Sequence, residues 1–231
     1  PAGRRIQVRG DVEQDQTLPQ RGVEIHLPER PLRPQDFQTV GRPGYLRVIG
    51  VAASDPFTEV RWELATTQDG LMVADPARGI LKVAAIERHR STGRMGLGFA
   101  SGLGFNRGAV CTSFVPPAHP LVVIGADDQD MAAAIERVME MQGGIAVVLD
   151  GAVLESLPLP VAGLLTTAPA EDIAGRFHRL EEVCWQLGSK HSRPIHAVAA
   201  LADLHLPTLR LGDQGLIDVE NGAIVALQES H

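Results

Sequence analysis

Residues 121–158 read LVVIGADDQDMAAAIERVMEMQGGIAVVLDGAVLESLP, and this stretch predicts a strand, a helix and a hairpin in direct succession. The apolar run LVVIG has the length of a buried strand. A helix follows from about Gln129 to Gln142, because its apolar residues recur at helical spacing along one face. These residues are Met131, Ala134, Ile135, Val138 and Met139. The sequence IAVVL-DG-AVLES then predicts a hairpin that turns at Asp150-Gly151.

The ends of the predicted helices carry capping residues. Asp127 or Asp128 can cap the first helix, since an aspartate oxygen accepts hydrogen bonds from the free N–H groups of the first turn, and Gly143-Gly144 ends it. A second helix is predicted from about Pro169 to Leu187, with Thr167 as its cap. Its buried stripe comprises Ile173, Phe177, Leu180, Cys184 and Leu187.

The rest of the chain is rich in short strands. The segment EVRWELA alternates with period two, which predicts a half-buried strand with Val60, Trp62 and Leu64 on its apolar side. The runs YLRVIGV, ILKVAAI and AVCTSFV also have strand length, and Asn221-Gly222 marks a second hairpin. Strands joined by tight turns pair antiparallel, so the predicted fold class is α+β, with mainly antiparallel sheets covered by a few helices.

Two regions of different composition divide the chain. Residues 1–44 are rich in Pro, Gln and Arg and predict an extended arm or linker, whereas residues 45–231 predict the α+β domain. The net charge of −7 disfavours nucleic acid and anionic membranes as partners, because both are bound by clustered Lys and Arg. Two widely separated cysteines and the absence of an apolar run of membrane length indicate a cytoplasmic protein.

A polar strand end leads into a glycine-rich loop. Glu87, Arg88 and His89 follow the strand ILKVAAI and precede Thr92. Loops at strand ends often carry function, so Glu87, Arg88 and Thr92 are candidate ligand contacts and His89 is a candidate catalytic side chain. The alternative is a polar strand end satisfied by local hydrogen bonds. The glycines between 93 and 108 lack the ending of a phosphate-binding loop and predict close backbone approach, bends or bulges.

Cys111 and His119 form the other candidate catalytic pair. A cysteine can act as a nucleophile when a histidine lies within hydrogen-bond reach, and two strands joined through Pro116-Pro117 can bring these residues together. A small core residue is the alternative for Cys111. Asp127 is a further candidate ligand contact, with helix capping as its alternative. The spacing of His and Cys residues predicts no metal site.

Several long blocks together resemble the C-terminal domain of bacterial adenine deaminases. The blocks are ADPARGILKVAAIERH, STGRMGLGFASGLGFNRGAV, VVIGADDQDMAAAIERVMEMQGGIAVVLDGAVLESLPLPVAGLLT and LRLGDQGLIDV. PLRPQDF followed by RVIGV also resembles the approach to that domain, so the resemblance covers roughly residues 31–220. It implies an amidohydrolase of purine metabolism, which converts adenine and water to hypoxanthine and ammonia.

The resemblance also implies where the metal of such an enzyme lies. In the family the metal ligands belong to a barrel domain placed before this region, with a His-x-His pair near its start. This chain has no His-x-His pair, and its eight histidines are scattered. Hydrolytic deamination needs a metal-activated water held by several fixed ligands. We therefore expect no metal or other cofactor in this chain, and a separate or preceding amidohydrolase barrel as its partner.

One loop departs from the family pattern. Where members usually carry Ala-His-Asp-Ser-His-Asn, this chain reads Val115-Pro116-Pro117-Ala118-His119-Pro120. His119 matches the second histidine of the family loop, and the two consecutive prolines replace its His-Asp pair. The replacement removes two polar side chains and two backbone donors from the loop.

Three functions are compatible with the sequence. The first is a fragment or subunit of an adenine deaminase, which packs beside the mouth of the barrel and stabilises a homo-oligomer. The second is a free-standing relative that acts on a small heterocycle as a metal-independent hydrolase or isomerase, with Cys111 in a changed site. The third is a non-catalytic binding or assembly module that docks through its Pro/Gln-rich arm.

Overall fold

The computed structural model of the protein describes residues 30–52, 57–115 and 120–229. Three α-helices and fourteen strands lie within these ranges. The helices are α1 (Asp128–Glu140), α2 (Ala170–Gln186) and α3 (Pro194–Ala200). The strands are β1 (Thr39–Val40), β2 (Tyr45–Val51), β3 (Thr58–Leu64), β4 (Thr67–Gln68), β5 (Leu71–Met72), β6 (Ile80–Ile86), β7 (Met95–Ser101), β8 (Ala109–Thr112), β9 (Leu121–Gly125), β10 (Gly144–Leu149), β11 (Ala152–Pro158), β12 (Leu209–Gly212), β13 (Gly215–Asp218) and β14 (Ala223–Val225).

Eight of these strands form one central sheet in the order β11-β10-β8-β9-β6-β7-β2-β3. Its neighbouring strands pair antiparallel except β2 and β7, which run parallel with Ile49 opposite Ala100. Two small sheets accompany it, β1-β5-β4 and β12-β13-β14. The predicted α+β class with mainly antiparallel sheets is confirmed, because tight hairpins such as β10–β11 reverse the direction of the chain.

Both faces of the central sheet are covered, which explains why β6 is buried along its whole length. Helix α1 packs on one face, where Met131, Ile135 and Val138 join a core that includes Cys111. Helices α2 and α3 and the β12-β13-β14 sheet cover the other face. The middle strands are therefore continuous apolar runs, as expected for strands that are buried on two sides.

The two predicted helices are present with ends close to those expected. The first was predicted from Gln129 to Gln142, and α1 spans Asp128–Glu140 with Asp127 as its N-cap. The second agrees within one residue at each end, but the predicted Thr167 cap is wrong. Pro169 occupies the N-cap position and has no side-chain acceptor, so Thr167 lies too far from the first turn. Within the described ranges, no helix is both long enough and apolar enough to span a membrane.

The predicted buried side of β3 is also wrong. Val60, Trp62 and Leu64 are 42%, 41% and 54% exposed. Only Thr58, at the start of the strand, is buried, and its hydroxyl donates to the Leu209 carbonyl at 2.8 Å. The physical reason is position, since β3 lies at one edge of the central sheet. An alternating pattern shows which side chains share a face and not whether another element covers that face.

Part of the predicted arm packs against the domain. The turn Pro34–Phe37 lies against α1 and buries Phe37 completely, and β1 pairs with β5. Residues 1–29 of the arm lie outside the described residues. The start of the domain at residue 45 stays a prediction, while the packed region of the structure reaches upstream to Leu32.

The glycine series allows close approach of backbones, as predicted. A Cβ at Gly96 of β7 would lie 2.0 Å from the carbonyl oxygen of Gly212 and 2.6 Å from the nitrogen of Gly215. Glycine therefore lets the turn between β12 and β13 press directly on the central sheet. Gly102 has φ +95, and a Cβ there would lie 2.1 Å from the Val51 carbonyl oxygen. Both positions serve packing rather than ligand binding.

Candidate functional site

Three segments meet at one end of the central sheet. Strands β6 and β8 end there and β9 begins there, because both pair antiparallel with β9. Strand β10 begins and β11 ends at the same side, with Gly144 opposite Pro158. We call this end the rim and define it as residues 87–94, residues 113–115 with Pro120, and residues 159–168. The topology thus collects loops that are far apart in sequence.

Glu87 orders the first rim segment. Its carboxylate accepts hydrogen bonds from the backbone N–H groups of His89, Arg90 and Thr92 and from the Thr92 hydroxyl. The Glu87 N–H donates to the Arg94 carbonyl at 3.0 Å and closes the loop. Burial raises the pKa of Glu87, but these four hydrogen bonds outweigh it and leave the pKa below its ordinary value. The carboxylate is therefore ionised at neutral pH and holds the loop in one conformation.

Arg88 joins the first rim segment to the third. It is 2% exposed, and its Nη1 donates to the Ala162 carbonyl at 3.0 Å. Burial lowers the pKa of its guanidinium to about 10, which keeps the group cationic at neutral pH. A buried cation at a loop junction is expensive to desolvate, so this position indicates a specific local role.

Ser113 joins the second rim segment to the third. Its hydroxyl donates to the Gly163 carbonyl at 2.6 Å and accepts from the Gly144 N–H at 2.7 Å. Its own N–H donates to the Gly144 carbonyl at 2.9 Å. One buried side chain therefore fixes β8, the start of β10 and the segment after β11 relative to one another.

A cavity of about 420 Å³ opens beside the first rim segment. Its lining residues are Glu87, Arg88, His89, Arg90, Arg94, Pro120 and Asp213. Glu87 binds its own loop, and Asp213 pairs with Arg94 at 2.8 Å. The three arginines outnumber the two carboxylates, so the lining carries one net positive charge in a chain whose net charge is −7. Such a lining suits an anionic or electron-rich group.

The structure brings some of the predicted site residues together and separates others. Glu87, Arg88 and His89 line one cavity, and Thr92 bonds to the same Glu87 carboxylate. His119 lies outside the described residues, although the next residue, Pro120, lines this cavity. The strand-end segment is thus placed at the rim.

Cys111 and Asp127 occupy other places. Cys111 lies in β8 on the α1 face with no exposed surface, and burial raises the pKa of its thiol well above the ordinary value. A buried thiol of this kind resists formation of the nucleophilic thiolate. Asp127 follows the far end of β9 and accepts from the N–H groups of Gln129 and Asp130 at 3.0 and 2.9 Å. The pairing of Cys111 with His119 stays a prediction.

A second and larger cavity was not predicted from the sequence. It has a volume of about 680 Å³ and lies between the first half of α2 and the third rim segment, and we call it the α2 groove. Its lining includes Phe114, Leu157, Leu159, Leu164, Leu165, Ile173, Phe177, Glu181 and His196. Ile173 and Phe177 belong to the predicted buried stripe of α2, yet they are only half-buried. The sequence showed the apolar stripe along the whole of α2. It did not show that the domain covers only the second half of that stripe.

His196 is held at the groove by aromatic contacts. Its ring makes edge contacts with Phe114 and Phe177, with centroids 6.2 and 5.4 Å away. Burial lowers the pKa of His196, and the positive charge of Arg193 lowers it further, while Glu181 opposes the shift. The ring is therefore neutral at pH 7 and offers one donor and one acceptor nitrogen.

The described residues do not fit the metal that the family resemblance implies. Nowhere in residues 30–52, 57–115 and 120–229 do three or more His, Cys, Asp or Glu side chains converge on a common point. A divalent metal that activates water needs about three protein ligands and an open position.

Comparisons with known proteins give a consistent result. The family model for the adenine deaminase C-terminal domain matches residues 55–223. The adenine deaminase of Oleidesulfovibrio alaskensis is 44% identical over 184 residues, which cover 80% of this chain and 32% of that protein. The adenine deaminases of Desulfatibacillum aliphaticivorans and Methylobacterium sp. strain 4-46 are 35% and 38% identical, with 84% of this chain and 34% of each relative covered. The chain spans about a third of the length of these relatives.

Proposed function

The chain belongs to the adenine deaminase C-terminal domain family, and from this premise we propose that it is the C-terminal part of an enzyme that converts adenine and water to hypoxanthine and ammonia. The observation that carries the proposal is the family match over residues 55–223, together with 44% identity to an adenine deaminase. The role is adenine deaminase-like, and the complete reaction also needs the part of the enzyme that corresponds to the other two thirds of the relatives.

In the proposed enzyme, this chain and the barrel-bearing part contribute differently to the reaction. Hydrolysis replaces the exocyclic amino group of adenine by oxygen from water, so a water must be activated and ammonia must leave. The family resemblance implies a metal in a barrel domain, and a metal held there would activate that water. The described residues of this chain lack such a donor cluster, so their proposed contribution is to position groups and exclude bulk water.

We assign this contribution to the rim. Its segments are fixed by specific bonds from Glu87, Arg88 and Ser113, so the rim can keep one shape against a neighbouring barrel. The basic cavity at the first segment suits an electron-rich group at the mouth of that barrel. His89, which lines this cavity, would lie at this contact. Enclosure of a small heterocycle by rigid loops supports a near-attack geometry for the chemistry.

An independent cysteine-based activity has less support. It requires Cys111 to form a thiolate, but the thiol is buried in the core and its pKa is raised. The family match covers residues 55–223 and needs no such change of chemistry. Cys111 is therefore better explained as a core residue of β8.

A chimera tests the proposed function. The C-terminal third of the Oleidesulfovibrio alaskensis adenine deaminase is replaced by this chain, and ammonia release from adenine is measured with divalent metal added. We expect the chimera to deaminate adenine and the chain alone to release no ammonia, because the chain alone lacks the barrel. A version of the relative without its C-terminal third should have a kcat/KM lower by about 100-fold or more, since loss of positioning has effects of that size.

Two outcomes would contradict the proposal. One is a folded chimera that binds metal and yet does not act on adenine while the native relative does. The other is clear ammonia release from adenine by the purified chain alone in the presence of a chelator. Circular dichroism of the chimera and its metal content supply the controls for folding and loading.

A further inference from the structure

The α2 groove is an incomplete core. The stripe of α2 is fully buried in its second half, at Leu180, Cys184 and Leu187, but it is only partly covered in its first half. Opposite that first half, Leu165 is 64% exposed. A contiguous apolar surface of this kind on a folded domain commonly marks a site of protein contact. The first half of the stripe therefore resembles a protein interface whose other side is not supplied by the described residues.

The groove has one acidic group among its apolar walls. Glu181 lines it beside the neutral His196. Arg176 and Arg179 of the same helix are engaged elsewhere, since Arg176 donates to the Ser156 carbonyl at 3.2 Å and Arg179 contacts Glu155 at 3.1 Å. An occupant with apolar side chains and one basic side chain would complement these walls.

The groove and the rim form a continuous surface. Phe114 belongs to the second rim segment and also lines the groove. Leu164 and Leu165 line the groove directly after Ala162 and Gly163, whose carbonyls accept from Arg88 and Ser113. A body that rests on the rim would reach the groove without crossing another element.

We propose that the α2 groove receives an apolar segment carrying a basic side chain from the barrel-bearing part of the enzyme. The inference rests on the proposed function, because that part is the larger body implied by relatives of which this chain covers only about a third. The segment completes the stripe of α2 and locks the third rim segment, and through Arg88 and Ser113 it also holds the other two. The groove thus serves as the anchor of the contact, while the rim faces the substrate.

Hydrogen exchange on the chimera tests the groove directly. The amides of residues 161–177 are compared between the chimera and the chain alone. We expect them to exchange at least about tenfold more slowly in the chimera, because docking covers this segment. The substitution Leu165→Asp should abolish that protection and lower kcat/KM by about tenfold or more, as the loss of a central interface contact does. Leu165 is mainly exposed, so the variant should still fold.

Matched controls distinguish the groove from general surface effects. Ile224→Asp places the same charge on β14 at a side chain that is 59% exposed, and it should leave protection and activity unchanged. Glu181→Lys should weaken docking by reversing the charge in the groove. Glu136→Lys makes the same charge reversal at an exposed position of α1, which covers the opposite face of the central sheet, and should have little effect.

Each outcome decides the inference. Equal exchange of residues 161–177 in the chimera and the chain alone would overturn it, and an active chimera would then leave the proposed function intact. Protection that appears in the chain alone as its concentration rises would identify a second copy as the occupant and also overturn it. Protection in a folded but inactive chimera would support the groove and count against the proposed function. Protection lost equally in the control variants would show that the groove is not the anchor.

Discussion

At the scale of single residues, Glu87 shows how a predicted ligand contact acquires a structural role. The sequence indicated a polar strand end that either binds a ligand or satisfies itself locally. The structure shows local satisfaction for the Glu87 carboxylate, with four donors from its own loop. The same loop exposes His89 and Arg90 to the rim cavity, so Glu87 acts by positioning its neighbours.

We predict that Glu87→Gln lowers the free energy of unfolding by about 1–3 kcal/mol at pH 7, because an amide cannot accept all four bonds and brings donors of its own. The folded pKa of Glu87 lies below its ordinary value of 4.5. Its stabilisation is therefore complete above the unfolded pKa and is lost as the pH falls through the folded pKa. Urea denaturation at several pH values measures the free energy of unfolding of the protein and of the variant. The difference between the two should narrow below about pH 4.

A difference in the free energy of unfolding that does not change with pH would contradict this account of Glu87. Thr92→Ala is the milder companion variant, because it leaves the three backbone bonds to Glu87 in place and removes only the two bonds of the hydroxyl, which donates to Glu87 and accepts from the Arg94 N–H. Its effect should be about 1–2 kcal/mol, since one hydrogen bond usually contributes about 1 kcal/mol.

At the scale of elements, α1 is joined to the sheet by a buried ion pair. Lys82 of β6 is 3% exposed at its side chain and contacts both oxygens of Asp128 at 2.7 and 2.8 Å. Asp128 is the first residue of α1, where a negative charge also interacts favourably with the helix dipole. The pair therefore fixes the start of α1 over a middle strand of the sheet.

We predict that Asp128→Ala destabilises the protein by about 3 kcal/mol, because it leaves the buried Lys82 ammonium without its carboxylate. The lower end of the usual range applies, since the Asp128 side chain is 25% exposed. Thermal denaturation of the single variants and of Lys82→Met with Asp128→Ala forms a double-mutant cycle. The double variant should recover much of the stability that Asp128→Ala loses. If the destabilisation of the double variant equals the sum of the two single effects, the two residues do not interact.

The apolar stripes of α2 and β3 show that the periodicity of an element does not predict whether its apolar face is buried. Both patterns were recognised, and both were predicted to be buried. In the structure β3 exposes its stripe, and α2 exposes the first half of its stripe to the groove. Periodicity depends on neighbouring positions along the chain, whereas burial depends on which other element covers that face.

At the scale of the whole molecule, the strand order sets a gradient of stability. Strands β8, β9 and β6 lie in the middle of the central sheet and are fully buried, whereas β3 is its edge and is largely exposed. Opening an edge strand breaks fewer apolar contacts than opening a middle strand.

We predict that native-state hydrogen exchange of the chain follows this order. The paired amides of β6 and β9 should exchange only through global unfolding, whereas those of β3 should exchange through local opening and much faster. Mass spectrometry of peptides covering residues 58–64 and 80–86 measures the difference. Equal protection of both peptides would mean that the edge is covered in solution.

The sequence by itself determined the local elements, the fold class and the family. Hairpin turns at Asp150-Gly151 and Asn221-Gly222, the helical stripe of α1 and the long family-like blocks all depend on residues that are close along the chain. Such features follow from backbone geometry and local hydrogen bonding, which require no knowledge of distant segments.

Only the tertiary structure decided the strand order, the rim and the α2 groove. The rim collects segments around Glu87, Ser113 and Ala162, which lie far apart in the sequence and meet because β6, β8 and β11 end on the same side of one sheet. The same long-range packing placed Cys111 in the core and left half of the α2 stripe open. These outcomes depend on which faces meet, and residue periodicity contains no information on that choice.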